Sequence, residues 1–317
     1  MDKYKIKKIT NSVAQNFWED SPNQNIFNNP SFLSNFKGIE IYGVFKGEEL
    51  LCCWPIMKAS KKILEIPNFF YYFGPFWGKK IINLPIHSWL PTSKNVYSKF
   101  IEYFKSKFSR FHFQMHYSLQ DIRIFDWWDH NKKKKYFKVF PRYTACISDL
   151  SNMSSNKIKE KYRYVRRYEL KKFQQHLGDI EKFDIKKADL FKYYINFADA
   201  NYTLSKKKDL NKSLDLIFEL VQKGFGEITS IREKKTKKII YLNLVLFDKK
   251  SVHLIINVAQ KEWRKKGIIT WGVDNLLNRY KSKYSIFDFN GANSPQRGDD
   301  KQSYGASEKL FFQIKFN

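Results

Sequence analysis

The sequence predicts an α+β protein built from two tandem copies of one design, each a mainly antiparallel sheet flanked by helices. Three observations carry this reading. The chain has 317 residues, too many for one small domain and suited to two of about 150. The stretch FKSKFSRFHFQ at 104–114 matches YKSKYSIFDFN at 280–290 almost position for position. Each copy reads as a helix end, a short link and an F-x-F-polar strand. Finally, each half carries one hairpin pattern. GIEIYGVF (38–45) and ELLCCWPIM (49–57) flank a Lys46-Gly47 turn, and GEITSIRE (226–233) pairs with KIIYLNLVLF (238–247). The polar segment SNMSSN (151–156) is the expected boundary, dividing the chain into 1–150 and 151–317.

In order along the chain, residues 10–36 read as short helices and loops interrupted by Pro22 and Pro30. After the first hairpin, IPNFFYYFGPFWG (66–78) is an aromatic loop bent at Gly74-Pro75, suited to lining an apolar pocket or to covering a sheet. Ser93 is placed to cap an amphipathic helix with Phe100, Ile101, Phe104 and Phe108 on one face. FHFQMHY, a short helix within SLQDIRIFDWWDH (118–130) and KKYFKVFPRYTACISDL complete the first half. In the second half a long helix is expected from Ser154 or Ser155 to Gly178, placing Arg163, Arg167 and Lys171 on one stripe with Arg166 beside them. A strand (179–185), two helices (about 187–200 and 209–223), the second hairpin and SVHLIINVA (251–259) follow. A helix from near Gly267, the repeated F-x-F strand and KLFFQIKF (309–316) close the half.

The charge balance is 58 basic against 31 acidic residues, a formal +27, which favours an anionic partner such as nucleic acid, nucleotide, phospholipid or phosphorylated precursor. Richness in Lys, Asn, Ile and Phe together also fits an AT-rich genome, which would make much of that charge solvated surface. Cys52, Cys53 and Cys146 do not suggest disulfides and read as small buried residues in a reducing compartment. MDKYKIKKIT has no apolar signal core, and no apolar run approaches the ~20 residues of a spanning helix. A soluble cytoplasmic protein is expected, with the inner face of a membrane open to it as a place of work. No metal is expected. His112 and His116 lie four apart on a strand, roughly 13 Å from each other, and no CxxC, HExxH or carboxylate cluster adds ligands.

The stretch IFDFNGANSPQRGDDKQSYGA (286–306) is the focus for chemistry, because a strand there opens at Gly291 into a polar loop. Three motifs in this order resemble the Fem-like branch of tandem GNAT-fold N-acyltransferases, which includes peptidoglycan-branching aminoacyltransferases. They are KIKEKYRYVRRYELKK (157–172), FDFNGANSP (287–295) and DDKQSYGA (299–306). The resemblance spans essentially the whole chain. Asp300 stands where the family often has an aromatic, and Tyr304 replaces its usual Phe. RKKGII (264–269) keeps Arg264 and Gly267 of the R/Q-x-x-G-x-G/A signature of acetyl-CoA enzymes, but Ile269 replaces the small residue. A branched side chain there hinders approach to a CoA pyrophosphate, while Fem-like enzymes using aminoacyl-tRNA are similarly degenerate.

The resemblance implies N-acyl transfer by direct attack of an amine, with the active site in the C-terminal half. No Ser-His-Asp or Cys-His constellation suggests a covalent intermediate. Asp288 is expected as the amine-side carboxylate or as a structural cap on the following turn. Lys301 is expected to stabilise charge at the carbonyl or donor phosphate. Arg163, Arg166, Arg167, Lys171, Arg264 and Arg297 are candidate phosphate holders; Gly267, Asn290, Gly291, Ser294 and Tyr304 would shape the donor and substrate cleft. No tightly bound cofactor is implied. Acyl-CoA or aminoacyl-tRNA would be a co-substrate, and a phosphorylated amino-sugar or peptide of a cell-envelope precursor the acceptor. The alternative is a non-catalytic, basic RNA-binding or scaffold protein on a degenerate transferase fold.

Overall fold

The computed structural model describes residues 3–128, 130–131, 136–198, 203–293 and 300–316. The chain divides into two compact units, residues 1–142 with 310–317, and residues 143–309. The division lies within a strand, ahead of SNMSSN, and the last residues return to the first unit. The reason is packing: Ile314 and Phe316 are buried in the first unit's core.

The first unit holds β1 (Tyr4–Ile9), α1 (Asn11–Glu19), α2 (Pro30–Leu33), β2 (Ile39–Lys46), β3 (Glu49–Ser60), β4 (Ile63–Glu65) and β5 (Phe76–Trp77). It continues with α3 (Lys79–Ile82), α4 (Ile86–Lys107), β6 (Arg110–Gln114) and α5 (Arg123–Trp127). β7 (Phe137–Ile147) leads into the second unit, which holds α6 (Ser155–Glu160), α7 (Tyr164–Gln174), β8 (Ile180–Phe183), α8 (Lys187–Phe197) and α9 (Leu204–Leu220). It continues with β9 (Gly226–Glu233), β10 (Ile239–Phe247), β11 (Ser251–Ala259), α10 (Lys261–Lys266), α11 (Ile268–Tyr280) and β12 (Ile286–Asp288). β13 (Ser307–Phe316) returns to the first unit.

In the first unit the strand order is β1-β2-β3-β4-β6-β13, with β5 also on β3. Trp54 of β3 is the hub of its core, with the rings of Tyr97, Phe100, Phe104 and Phe113 at 4.5–6.0 Å. Val96, Tyr97, Phe100, Ile101 and Phe104 form the buried face of α4 at helical spacing. The helix starts at Ile86 rather than at a Ser93 cap and runs through Pro91. Trp89 packs on Trp77 at 4.7 Å, which anchors the turn before the proline. β1 was not legible in its short, charge-rich segment; it pairs with β2 as an edge strand studded with lysines.

In the second unit the order is β7-β12-β11-β10-β9-β8, with only β11 and β12 parallel. β10 is buried almost throughout and α11 lies over β10 and β11. The long helix expected from 154 to 178 is instead two. Ser154 caps α6, accepting from Lys157 N at 3.2 Å, but the helix stops at Glu160. Tyr162 turns inward, its hydroxyl donating to Asp274 at 3.1 Å, and Arg163 N donates to the Ser303 carbonyl at 2.9 Å. Gly305 seats against this break, since a Cβ there would lie 2.5 Å from Lys161 Cβ. Tertiary contacts thus outweigh a favourable local helix pattern. Among the described residues no helix is long and apolar enough to cross a membrane.

Candidate active site

The second unit's F-x-F strand, β12, sits between β11 and β7, so both its edges are paired. Phe287 enters the apolar core, and Asp288 faces the other way yet is equally inaccessible, at 0% exposure. A buried carboxylate must be satisfied by hydrogen bonds or charge. Asp288 Oδ1 accepts from Thr144 Oγ1 at 2.5 Å and from Asn290 N at 2.8 Å, and Oδ2 lies 3.8 Å from His253 Nδ1. His253, on β11, is bound through Nε2 to Asp248 Oδ2 at 2.8 Å. Burial disfavours its imidazolium, but the hydrogen bond and charge of Asp248, with Asp288 beyond, outweigh this and hold its pKa above the ordinary value. Asp248 also accepts from Lys250 N and Ser251 N, fixing the β10–β11 turn. A buried polar chain, Asp248–His253–Asp288–Thr144, therefore ties three strands together beneath the strand end.

Above it the backbone turns sharply. Asn290 and Gly291 both take positive φ, 48° and 74°. Lys301 Nζ donates to the carbonyls of Phe289 (3.0 Å) and Asn290 (2.8 Å), and to that of Gly291. One ammonium thus gathers three consecutive carbonyl oxygens, keeping a positive charge at the mouth of the loop. Phe289 stacks on Tyr304 with centroids 5.6 Å apart, and the Arg166 guanidinium lies 4.8 Å from the other ring's centre, that of Tyr304.

Arg166 links this platform to α7. It donates to Ser303 Oγ at 2.6 Å and to Glu169 Oε2 at 2.7 Å, and pairs with Asp300. Thr270 Oγ1 also donates to Glu169 and lies 3.0 Å from the Tyr304 hydroxyl. Glu169 therefore sits at the start of α11. Gly267 packs there so closely that a Cβ would lie 2.7 Å from the Glu169 carbonyl oxygen, and its φ of 98° favours glycine.

The expected residues thus separate into groups. Asp288, Asn290, Gly291, Lys301, Tyr304 and Arg166 form one connected cluster. Arg163, Arg167 and Lys171 stay exposed on the outside of the α6–α7 region. Arg264 turns inward, donating to the Ala259 carbonyl at 2.7 Å and to that of Phe197. Ser294 and Arg297 lie outside the described residues. Sequence reasoning missed His253, Asp248, Thr144, Glu169 and Thr270. The signal for His253 was a lone imidazole at an inward position of the apolar run SVHLIINVA; nothing local named its partners.

With this geometry established, comparison with solved structures places the fold. FemX aligns over 97% of this chain and 96% of its own, with a TM-score of 0.64 at 9% identity. This is a Fem-like tandem GNAT fold. A tandem GNAT protein from the clavulanic acid biosynthesis pathway aligns over 98% of both chains, with a TM-score of 0.55 and 8% identity. L-PGS from Bacillus licheniformis aligns over 98% of this chain and 93% of its own, with a TM-score of 0.55 and 11% identity. No protein-family model matches the sequence, and no curated protein matches it. In the Fem-like fold of this chain, the connected cluster at β12 lies wholly within the second unit.

Proposed function

We propose that this protein is an N-acyltransferase that takes its acyl group from aminoacyl-tRNA and passes it to an amine of a phosphorylated cell-envelope precursor. The fold, shared with FemX and L-PGS, supports acyl transfer in general. The observation that carries the choice of donor is Glu169. In an acetyl-CoA enzyme of this fold, the free amides at the start of the helix after the fourth strand receive the pyrophosphate. Here α7 lies against that start, with the Glu169 carboxylate hydrogen-bonded to Thr270 and the Glu169 backbone against Gly267. A pyrophosphate would meet a space filled by Glu169, whose carboxylate is already paired with Arg166. An ester at the end of an RNA needs no such cradle.

In this reading Lys301 is the catalytic cation. Its ammonium, held by the carbonyls of Phe289, Asn290 and Gly291, exchanges the Gly291 carbonyl for the oxyanion formed when the amine attacks the ester carbonyl. The amine nitrogen forms a bond to the carbonyl carbon, the ester oxygen departs as the tRNA hydroxyl, and the amine's proton passes to that oxygen. Asp288 is a positioning residue here, acting through Asn290 and the turn that Lys301 gathers. The cytoplasm, at the inner membrane face, is the proposed place of work.

The test is transfer of radiolabelled amino acid from total charged tRNA to a mixture of nucleotide-linked amino-sugar peptides, run beside labelled acetyl-CoA. Label should move from tRNA only, and Lys301→Ala should lower turnover at least about 100-fold while tRNA binding persists. Transfer from acetyl-CoA would overturn the donor assignment. Absence of transfer from either donor would overturn the enzyme reading and leave a scaffold or binding protein.

A further inference from the structure

The inward side of α7 is accounted for: Phe173 is buried, Leu170 packs on the core, and Arg166 and Glu169 serve the cluster at α11. Its outward side is unlike an ordinary solvated helix face. Tyr164 is 74% exposed and Tyr168 54%, one turn apart, with rings stacked at 6.4 Å and 23°. Arg163, Arg167, Lys171 and Lys172 surround them, all exposed. Residues 157–172 hold eight basic side chains and two acidic ones, and one of those two, Glu169, is turned inward. Cations at i and i+4 repel one another unless an anion lies between them. Two rings this exposed contribute little to the core.

We infer that the outward face of α7 docks single-stranded RNA, seating bases on the Tyr164–Tyr168 pair and phosphates on Arg167 and Lys171. Flat rings interleaved with cations match a polyanion whose bases are free to stack. A duplex hides those base faces. A bilayer surface calls for a broad apolar face of Leu, Phe or Trp, whereas beyond the tyrosines α7 exposes only Val165 as a large hydrophobic. The inference deepens the donor half of the proposed function and rests on that reading for its biological sense. Its test requires no turnover, so the two can fail separately.

The experiment measures fluorescence anisotropy of a labelled single-stranded RNA dodecamer, and of the same sequence as a duplex, across a salt series. Sedimentation with phosphatidylglycerol-containing vesicles runs in parallel. The single strand should bind more tightly than the duplex. Combined Tyr164→Ala and Tyr168→Ala should weaken it about tenfold or more, and the Tyr→Phe pair should restore it. Combined Arg167→Ala and Lys171→Ala should flatten the log–log salt dependence by roughly 0.7 per charge removed. Lys3→Ala with Lys5→Ala, on exposed positions of the first unit, should change binding far less. Equal losses from both charge pairs, or unaltered binding by the tyrosine variant, would mean diffuse basic charge and overturn the inference. Tyrosine-dependent vesicle binding without RNA binding would overturn it in favour of a lipid surface. All substituted side chains are exposed, and unchanged melting temperatures would confirm intact folding.

Discussion

The two F-x-F strand ends began from nearly the same sequence and finish differently. In the first unit, Phe111, His112, Phe113 and Gln114 lead to a strand end that is covered. The aromatic loop 66–78 packs on it: Gln114 N donates to the Phe73 carbonyl at 3.1 Å, and Gly74 touches the Gln114 carbonyl. Phe70, Tyr72, Phe73, Phe76 and Trp77 of that loop are all buried, so it covers a sheet. In the second unit, Phe287, Asp288 and Phe289 run into the positive-φ pair Asn290 and Gly291 and the ammonium of Lys301. Duplicated strands keep their phenylalanines because both cores need them. The intervening residues diverge because one end is plugged by rings and the other is built around charge.

The largest expected difference lies at the matched positions 112 and 288. Asp288→Ala strips a fully buried network of its acceptor and leaves His253 facing a hole, a cost of about 3–5 kcal/mol. His112→Ala loses a hydrogen bond to the Gln313 side chain and should cost less than about 1.5 kcal/mol. Urea unfolding of the two variants measures this directly; equal costs would mean the two strand ends are energetically alike.

A smaller effect tests the plug. In Gly74→Ala the new methyl would stand 2.3 Å from the Gln114 carbonyl oxygen, and the forced shift should cost about 1–3 kcal/mol. Hydrogen exchange should show the loss concentrated in 66–78 and β6, with the second unit unaffected. Uniform loss of protection would contradict the local plug.

The smallest effect is one of sign. Burial, with Lys315 and Arg142 nearby, lowers the His112 pKa to about 4. The unfolded chain then binds the proton more readily, so stability is lost as pH falls from about 6.5 toward that value. His253 is shifted upward, so its contribution is complete below about 6.5 and is lost as pH rises through its folded value. His112→Gln should flatten the acid limb of a stability–pH curve, and His253→Gln the limb above it. A common direction for both would show that the two environments had been misjudged.

Much of this was legible in the chain itself. The repeat, the hairpins and the strands 226–233 and 251–259 follow from alternation and turn chemistry, which are local. Asn290 and Gly291 were legible as a strand end opening into a polar loop, and Lys301 through the resemblance of DDKQSYGA to the family's motif. Other features were not. No sequence pattern says that a helix starting at Ser154 must break at Tyr162 so that Arg163 can meet Ser303, because the partner lies far along the chain. The same holds for Glu169 at the start of α11 and for His253 between two aspartates. The sequence by itself determined the two hairpins, the F-x-F strands and the excess of basic residues. Only the tertiary structure decided which charges are spent inside, such as Arg166 and Arg264, and which remain outside on α7. Periodicity reports burial along one element, whereas pairing of charges is settled between elements that meet only when folded.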